Sequence, residues 1–197
     1  MKEFKFEDFI KENVGIDSDL LQAAVANQKR LDVKAGDYLL QSGEICKNSF
    51  YVEKGLFRYY SIDSKGKEHI LQFAPEKWFV SDRESALSLK GSNYFIEALE
   101  DSSVVVIDDF FLLTMTEKFP AFGTFIHNLL QNHIRSLQNR VNQLMSYTAE
   151  ERYLELIKTY PNIQSRLPQM MIASYLGITP ESLSRVRKEI ATKNTKG

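Results

Sequence analysis

Four side chains crowded into five positions could do chemistry here: Glu181, Ser182, Ser184 and Arg185. Each is a hydrogen-bonding group of the kind that reads a nucleobase edge. Arg185 can span guanine O6 and N7 with two parallel N–H bonds. Glu181 can accept from a cytosine amino group and, one helical turn away, orient Arg185. Ser182 and Ser184 can bond a base or a phosphate. Thr179, Arg187, Lys188 and Lys193 flank that edge and are assigned to the sugar–phosphate backbone, which positions a protein without specifying sequence.

Residues 169–188 must hold these groups, and they read as two short helices around a tight turn. Ala173 is small where the helices would cross, and Gly177 supplies the positive φ that the turn requires. Ile172, Leu176, Ile178, Leu183 and Val186 recur at spacings that bury one stripe of each helix against the other. Thr179 suits the N-cap of the second helix and Pro180 its first turn. The plainer alternative is a helical hairpin whose Arg185, Arg187 and Lys188 form a solvated face.

Upstream, Thr148 with Glu151 three residues on forms a capping box, opening a helix that runs from Arg152 to Tyr160 and stops at Pro161-Asn162. Before it, Pro120 to Tyr147 reads as one long helix. Leu130, Ile134, Leu137, Val141 and Leu144 are spaced 4, 3, 4, 3, a coiled-coil seam of about two heptads. A second stripe, Phe122, Phe125, Ile126 and Leu129, faces elsewhere and is expected to pack back on a sheet. A helix with two apolar stripes and polar Asn132, Arg135, Asn139, Arg140 and Asn142 calls for a second copy of the chain on its seam. Burial of the helix inside a single domain is the alternative.

From Leu31 to Ile107 short β-rich runs alternate with turn signals, including Phe50-Tyr-Val52, Leu56–Ile62, His69–Phe73 and Val104–Ile107. This pitch predicts an antiparallel sandwich or barrel of jelly-roll type. Residues 4–30 read as helical in two stretches, Phe6, Phe9 and Ile10 first and Leu20, Leu21, Ala24 and Val25 after, separated by Gly15 and a cap signal at Asp17/Ser18.

The chain has 197 residues and a net charge of −1. That balance is uneven: Thr148 to Gly197 carries +3 and the remainder −4, so positive charge gathers with the helix pair. No apolar run approaches a membrane span and the first residues lack a signal peptide's apolar block, so the expectation is a cytoplasmic protein with no membrane partner. Cys46 is the only cysteine, which excludes an internal disulfide and a cysteine-ligated cluster within one chain. His69, His127 and His133 make no zinc pattern, and haem ligation is not expected. No nucleophile–base pair, phosphate-cradling glycine loop or metal cluster points to catalysis, so no enzyme activity and no catalytic or metal residues are assigned.

A β-roll, a long dimer helix and a C-terminal helix-turn-helix, in that order, resemble the Crp/Fnr family of bacterial transcription regulators over roughly residues 20 to 190. Glu181-Ser-Leu-Ser184-Arg185 looks like the family's Glu-x-x-Ser-Arg base-reading pattern. Gly43-Glu44, Tyr51-Val-Glu-Lys-Gly55 and Lys65-Gly-Lys-Glu68 are similar to the family's β texture. The resemblance implies an α+β fold in three parts. Residues 1–118 would be a cyclic-nucleotide-binding-like sensor roll with flanking helices, 119–147 the dimerisation helix, and 148–197 the DNA-binding domain. It further implies a homodimer on double-stranded DNA, half-sites containing TGA about 34 Å apart, and RNA polymerase as a further partner.

The chain also departs from the family. Cyclic-nucleotide-binding members hold the phosphate with a Gly-Glu pair and an Arg-Ser or Arg-Thr pair. Here the matching positions are Ser81-Asp82 and Ser92-Asn93, followed by Tyr94. With the arginine gone, cyclic AMP or cyclic GMP is not expected as effector, and no cofactor is assigned. An effector pocket, if the roll has one, would draw on Phe79, Ser81, Asp82, Arg83, Ser92, Asn93 and Tyr94; a roll that serves only as scaffold is equally consistent. The family's β-hairpin wing is also missing, since Ala191–Gly197 is too short and too polar, leaving Lys193 and Lys196 to replace some of its phosphate contacts. The competing functional reading is a small-molecule sensor or interaction module whose helix pair docks a protein.

Overall fold

The computed structural model describes residues 4–15 and 19–194. The Asp17/Ser18 cap signal and Lys196 lie outside the described residues. The chain divides into two compact units, Met1–Ile62 with Leu71–Leu130 and Asp63–Ile70 with Gln131–Gly197. The division falls inside the long helix.

The first unit is built on two antiparallel four-stranded sheets. One has strand order β1 (Arg30–Val33), β8 (Ser102–Asp108), β3 (Asn48–Lys54), β6 (Phe79–Val80). The other has β2 (Tyr38–Leu40), β7 (Tyr94–Ala98), β4 (Phe57–Ile62), β5 (Glu68–Ala74). Alternation along the strands sends Phe50, Val52, Phe57, Ile96 and Val104 into a shared core. On the other side of the first sheet, Tyr51, Val105 and Ile107 meet Phe6, Leu21, Phe111 and Phe122 in a second core. Phe125 and Ile126 pack against that core. Leu129 is half-buried.

The break expected at Gly15 is present. Helix α1 (Phe6–Val14) ends at Gly15, which caps it at φ 68°, and α2 (Asp19–Ala26) follows. Arg30 already belongs to β1, paired with Val105. Its guanidinium donates to Glu53, a carboxylate only 1% exposed that also accepts the Phe6 N–H at 2.9 Å. This buried anion ties α1 to the sheet, and charge-assisted bonds of this kind are the strong ones. Two further helices occur in this unit, α3 (Arg83–Ser88) and α4 (Asp109–Lys118).

Helix α5 (Pro120–Ser146) runs through both units. In the second unit come α6 (Ala149–Thr159), α7 (Ile163–Arg166), α8 (Gln169–Leu176) and α9 (Pro180–Asn194). The capping box is formed: Thr148 Oγ1 accepts the Glu151 N–H at 3.2 Å, and Glu151 accepts the Thr148 N–H at 2.7 Å. Leu156, Ile163, Ile172, Ala173, Leu176 and Leu183 are buried together at 2% exposure or less.

Candidate nucleic-acid interface

The geometry of the helix pair follows from its turn. Gly177 sits at φ 67° and closes α8, with the Ile178 N–H reaching back to Ala173 C=O at 3.0 Å. That six-to-one bond is the Schellman ending of a helix, which an L-residue with a Cβ adopts only with strain. Two residues later Thr179 Oγ1 accepts the Ser182 N–H at 3.3 Å and starts α9. Leu183 and Val186 turn inward and are buried, which forces the intervening residues outward. Glu181, Ser184, Arg185 and Lys188 are exposed, and Ser182 is half-buried.

The free chain arranges these groups differently from expectation in one respect. Arg185 donates to Ser182 Oγ at 3.4 Å rather than to Glu181. The Glu181 carboxylate is held below its usual pKa by its own backbone N–H and by the Thr179 hydroxyl. A helix start offers unpaired N–H groups and the positive end of the dipole, so a first-turn carboxylate folds back onto it.

The flanking cations divide into two kinds. Lys188 faces outward, in a shallow groove shared with Arg185, Glu189, Thr192 and Lys193. Arg187 is half-buried and donates to Gln164 Oε1 at 3.2 Å, an oxygen that also accepts the Tyr153 hydroxyl at 2.8 Å. Lys193 reaches both carboxylate oxygens of Glu150 at 2.8 Å. Gln164 and Glu150 were not legible as partners, because each lies tens of residues away from its cation and carries no motif of its own.

The seam of α5 is open in the single chain. Leu130, Ile134, Leu137, Val141 and Leu144 are 45–56% exposed, with Met145 alongside at 82%. Their spacing puts Leu at every d position and Ile134 and Val141 at a, the pattern that favours two parallel strands.

In the roll, the residues matched to a phosphate cassette are spent on one another. Asp82 is buried and caps α3, its Oδ1 accepting the Ser85 N–H at 3.2 Å. The Ser92 hydroxyl donates to Asp82 Oδ2 at 2.6 Å and accepts the Tyr94 N–H at 2.9 Å. Ser85 Oγ accepts the Cys46 N–H and donates to Lys90 C=O at 2.6 Å. Cys46 Sγ accepts the Asp82 N–H at 3.3 Å, and burial pushes the thiol's pKa up. A protonated, enclosed thiol makes a poor redox sensor. Phe79, Ser81, Arg83 and Tyr94 are half-buried and Asn93 is exposed. Arg83 pairs with Asp109 at 3.3 Å rather than with an open site. The Tyr59 and Tyr94 rings meet at 4.8 Å, tilted by 43°.

Comparison with known proteins gives the same architecture. Residues 30–118 match the cyclic nucleotide-binding domain. Electron transport regulator A of Shewanella oneidensis is 25% identical over 170 residues, 81% of this chain and 67% of the relative. Transcriptional activator protein anr of Pseudomonas aeruginosa is 27% identical over 181 residues, 86% of this chain and 72% of the relative. The structure of FixK2 from Bradyrhizobium japonicum superposes with a TM-score of 0.70 at 18% identity, over 85% of this chain and 86% of the other.

Proposed function

The chain belongs to the Crp/Fnr family of transcription regulators, and we propose that it reads a palindromic operator as a homodimer through the outer edge of α9. It is a DNA-binding regulator and not an enzyme. The observation that carries the operator reading is the split of α9 into a buried stripe, Leu183 and Val186, and an exposed edge, Glu181, Ser184 and Arg185.

In this reading Arg185 spans a guanine, Glu181 leaves the helix start to accept from a cytosine, and Ser182 and Ser184 complete the edge. Thr179 and Lys188 hold phosphates directly. Arg187 and Lys193 join them by exchanging Gln164 and Glu150 for the backbone. The five-residue seam joins two copies, so that half-sites fall about one turn apart. A TGA-like half-site and an encounter with RNA polymerase follow from the family. A DNA partner supports the cytoplasmic reading. No described helix is long and apolar enough to cross a membrane.

Control does not run through cyclic AMP in this proposal. The phosphate-binding arginine is replaced, and Asp82 is already bonded to Ser85 and Ser92. A mobility-shift titration across salt tests the DNA reading. Affinity for a selected operator should fall steeply between about 50 and 200 mM salt. A salt-insensitive complex would favour docking of a protein instead.

A further inference from the structure

Arg140 flanks the seam of α5 at heptad position g, one turn before Leu144. In coiled coils a charged g residue commonly pairs with an e residue of the facing helix. The e positions here are Gln131, Gln138 and Met145, none of them charged. Arg140 is engaged elsewhere. Its Nη2 donates to Tyr175 C=O, and its guanidinium carbon lies 3.8 Å from the centroid of the Tyr175 ring.

Both contacts suit this cation. Tyr175 C=O is among the last carbonyls of α8, at the negative end of that helix. A flat guanidinium can stack on a ring and donate in its own plane at once, which an ammonium cannot do. Tyr175 is 8% exposed and its ring meets Tyr160 edge-on at 5.8 Å, which makes it a firm platform. One turn further along α5, Leu144 reaches the turn itself: a Cβ added at Gly177 would lie 3.6 Å from Leu144 Cδ2. Arg140 therefore holds Tyr175 and Leu144 lies beside Gly177, so two successive turns of α5 border the turn from which α9 departs.

We propose that Arg140 is a positioning residue for operator reading: by fixing the α8–α9 turn to the zipper helix, it sets which half-site spacing the dimer accepts. The inference rests on the operator reading above. Arg140 reads no base, so its loss should leave the preferred half-site unchanged.

The test uses the full chain and a set of operators with identical half-sites, separated by spacers one or two base pairs longer or shorter than the selected one. Wild type should prefer its own spacing by about tenfold, the scale of a mismatched base pair. Arg140→Ala should keep the dimer mass and half-site sequence and bind all spacings within a few-fold of one another. Arg140→Lys, which keeps the charge without the flat stacking group, should fall between. If Arg140→Ala does not fold, Arg140→Met, which keeps the unbranched stem, decides on the same readout. A folded dimeric variant with wild-type spacing preference overturns the proposal. A wild type that selects no paired site overturns the operator reading, and this inference with it.

Discussion

The Ser92 hydroxyl and the Asp82 carboxylate meet at 2.6 Å in the interior of the roll, each at 5% exposure or less. This bond joins the two positions, Asp82 and Ser92, that the resemblance matches to the pairs holding the nucleotide in cyclic-nucleotide-binding members. Ser92→Ala leaves a buried carboxylate oxygen without its donor, at a cost of about 1–3 kcal/mol in urea denaturation. Cyclic AMP should leave the melting temperature of the wild type unchanged. A true ligand at 100 times its Kd would add about 2.7 kcal/mol of stability.

The seam makes a prediction about assembly without touching the fold. Leu137 is 50% exposed in the single chain, so Leu137→Asp should leave each chain folded. In the dimer it removes the exposed half of two leucines from the interface, roughly 1.5–3 kcal/mol, and sets two carboxylates facing it. Sedimentation equilibrium should show a monomer at concentrations where wild type is dimeric, and operator binding should be lost with it. A dimer of undiminished strength would place the interface elsewhere.

The two classes of α9 side chain should separate in binding measurements. Arg185→Ala should cost about 1–3 kcal/mol on the selected operator and relax preference at one base position. Lys188→Ala should weaken all sequences alike and reduce the salt slope by about 1. Arg187→Ala should change the slope less and lower thermal stability, because Arg187 braces Gln164. Salt-dependent titrations of the three variants check this order.

The Asp63 carboxylate is held to about 2 by its hydrogen bond with His69 and by the N–H groups of Lys67 and Lys65. In an unfolded chain an aspartate titrates near 3.9. A folded pKa below the unfolded one stabilises above about pH 4, and that contribution is lost as pH falls toward 2. Asp63→Asn should therefore flatten the acid limb of the stability curve between those values. A carboxyl-carbon titration by NMR should place the midpoint near 2; a midpoint near 4 would contradict it.

How much of this was legible depended on whether a pattern was local. Thr148 and Glu151, three residues apart, announce their helix start because the capping box closes on itself. Gly177 and the 4, 3, 4, 3 seam are likewise complete within one element. Helix α4 escaped notice because it is apolar on more than one side: Phe111 and Met115 are buried while Phe110 and Leu113 are exposed, so no stripe can be counted. Strand β1 falls at the start of the β-rich region but carries no run of its own there, since its pairing is decided by β8, some 70 residues away. The edge of α9 could be named from its spacing, but its partners could not. Ser182 for Arg185, Gln164 for Arg187 and Glu150 for Lys193 depend on rotamers and on helices that meet only in the folded domain.

Selection of bound sites from fully random duplex DNA tests the central claim most directly, because it assumes no operator. Two outward-facing copies of α9 on one zipper predict enrichment of an inverted repeat, with guanine at the position that loses its preference in Arg185→Ala. Enrichment of single, unpaired sites, or of no sequence at all, would contradict the account.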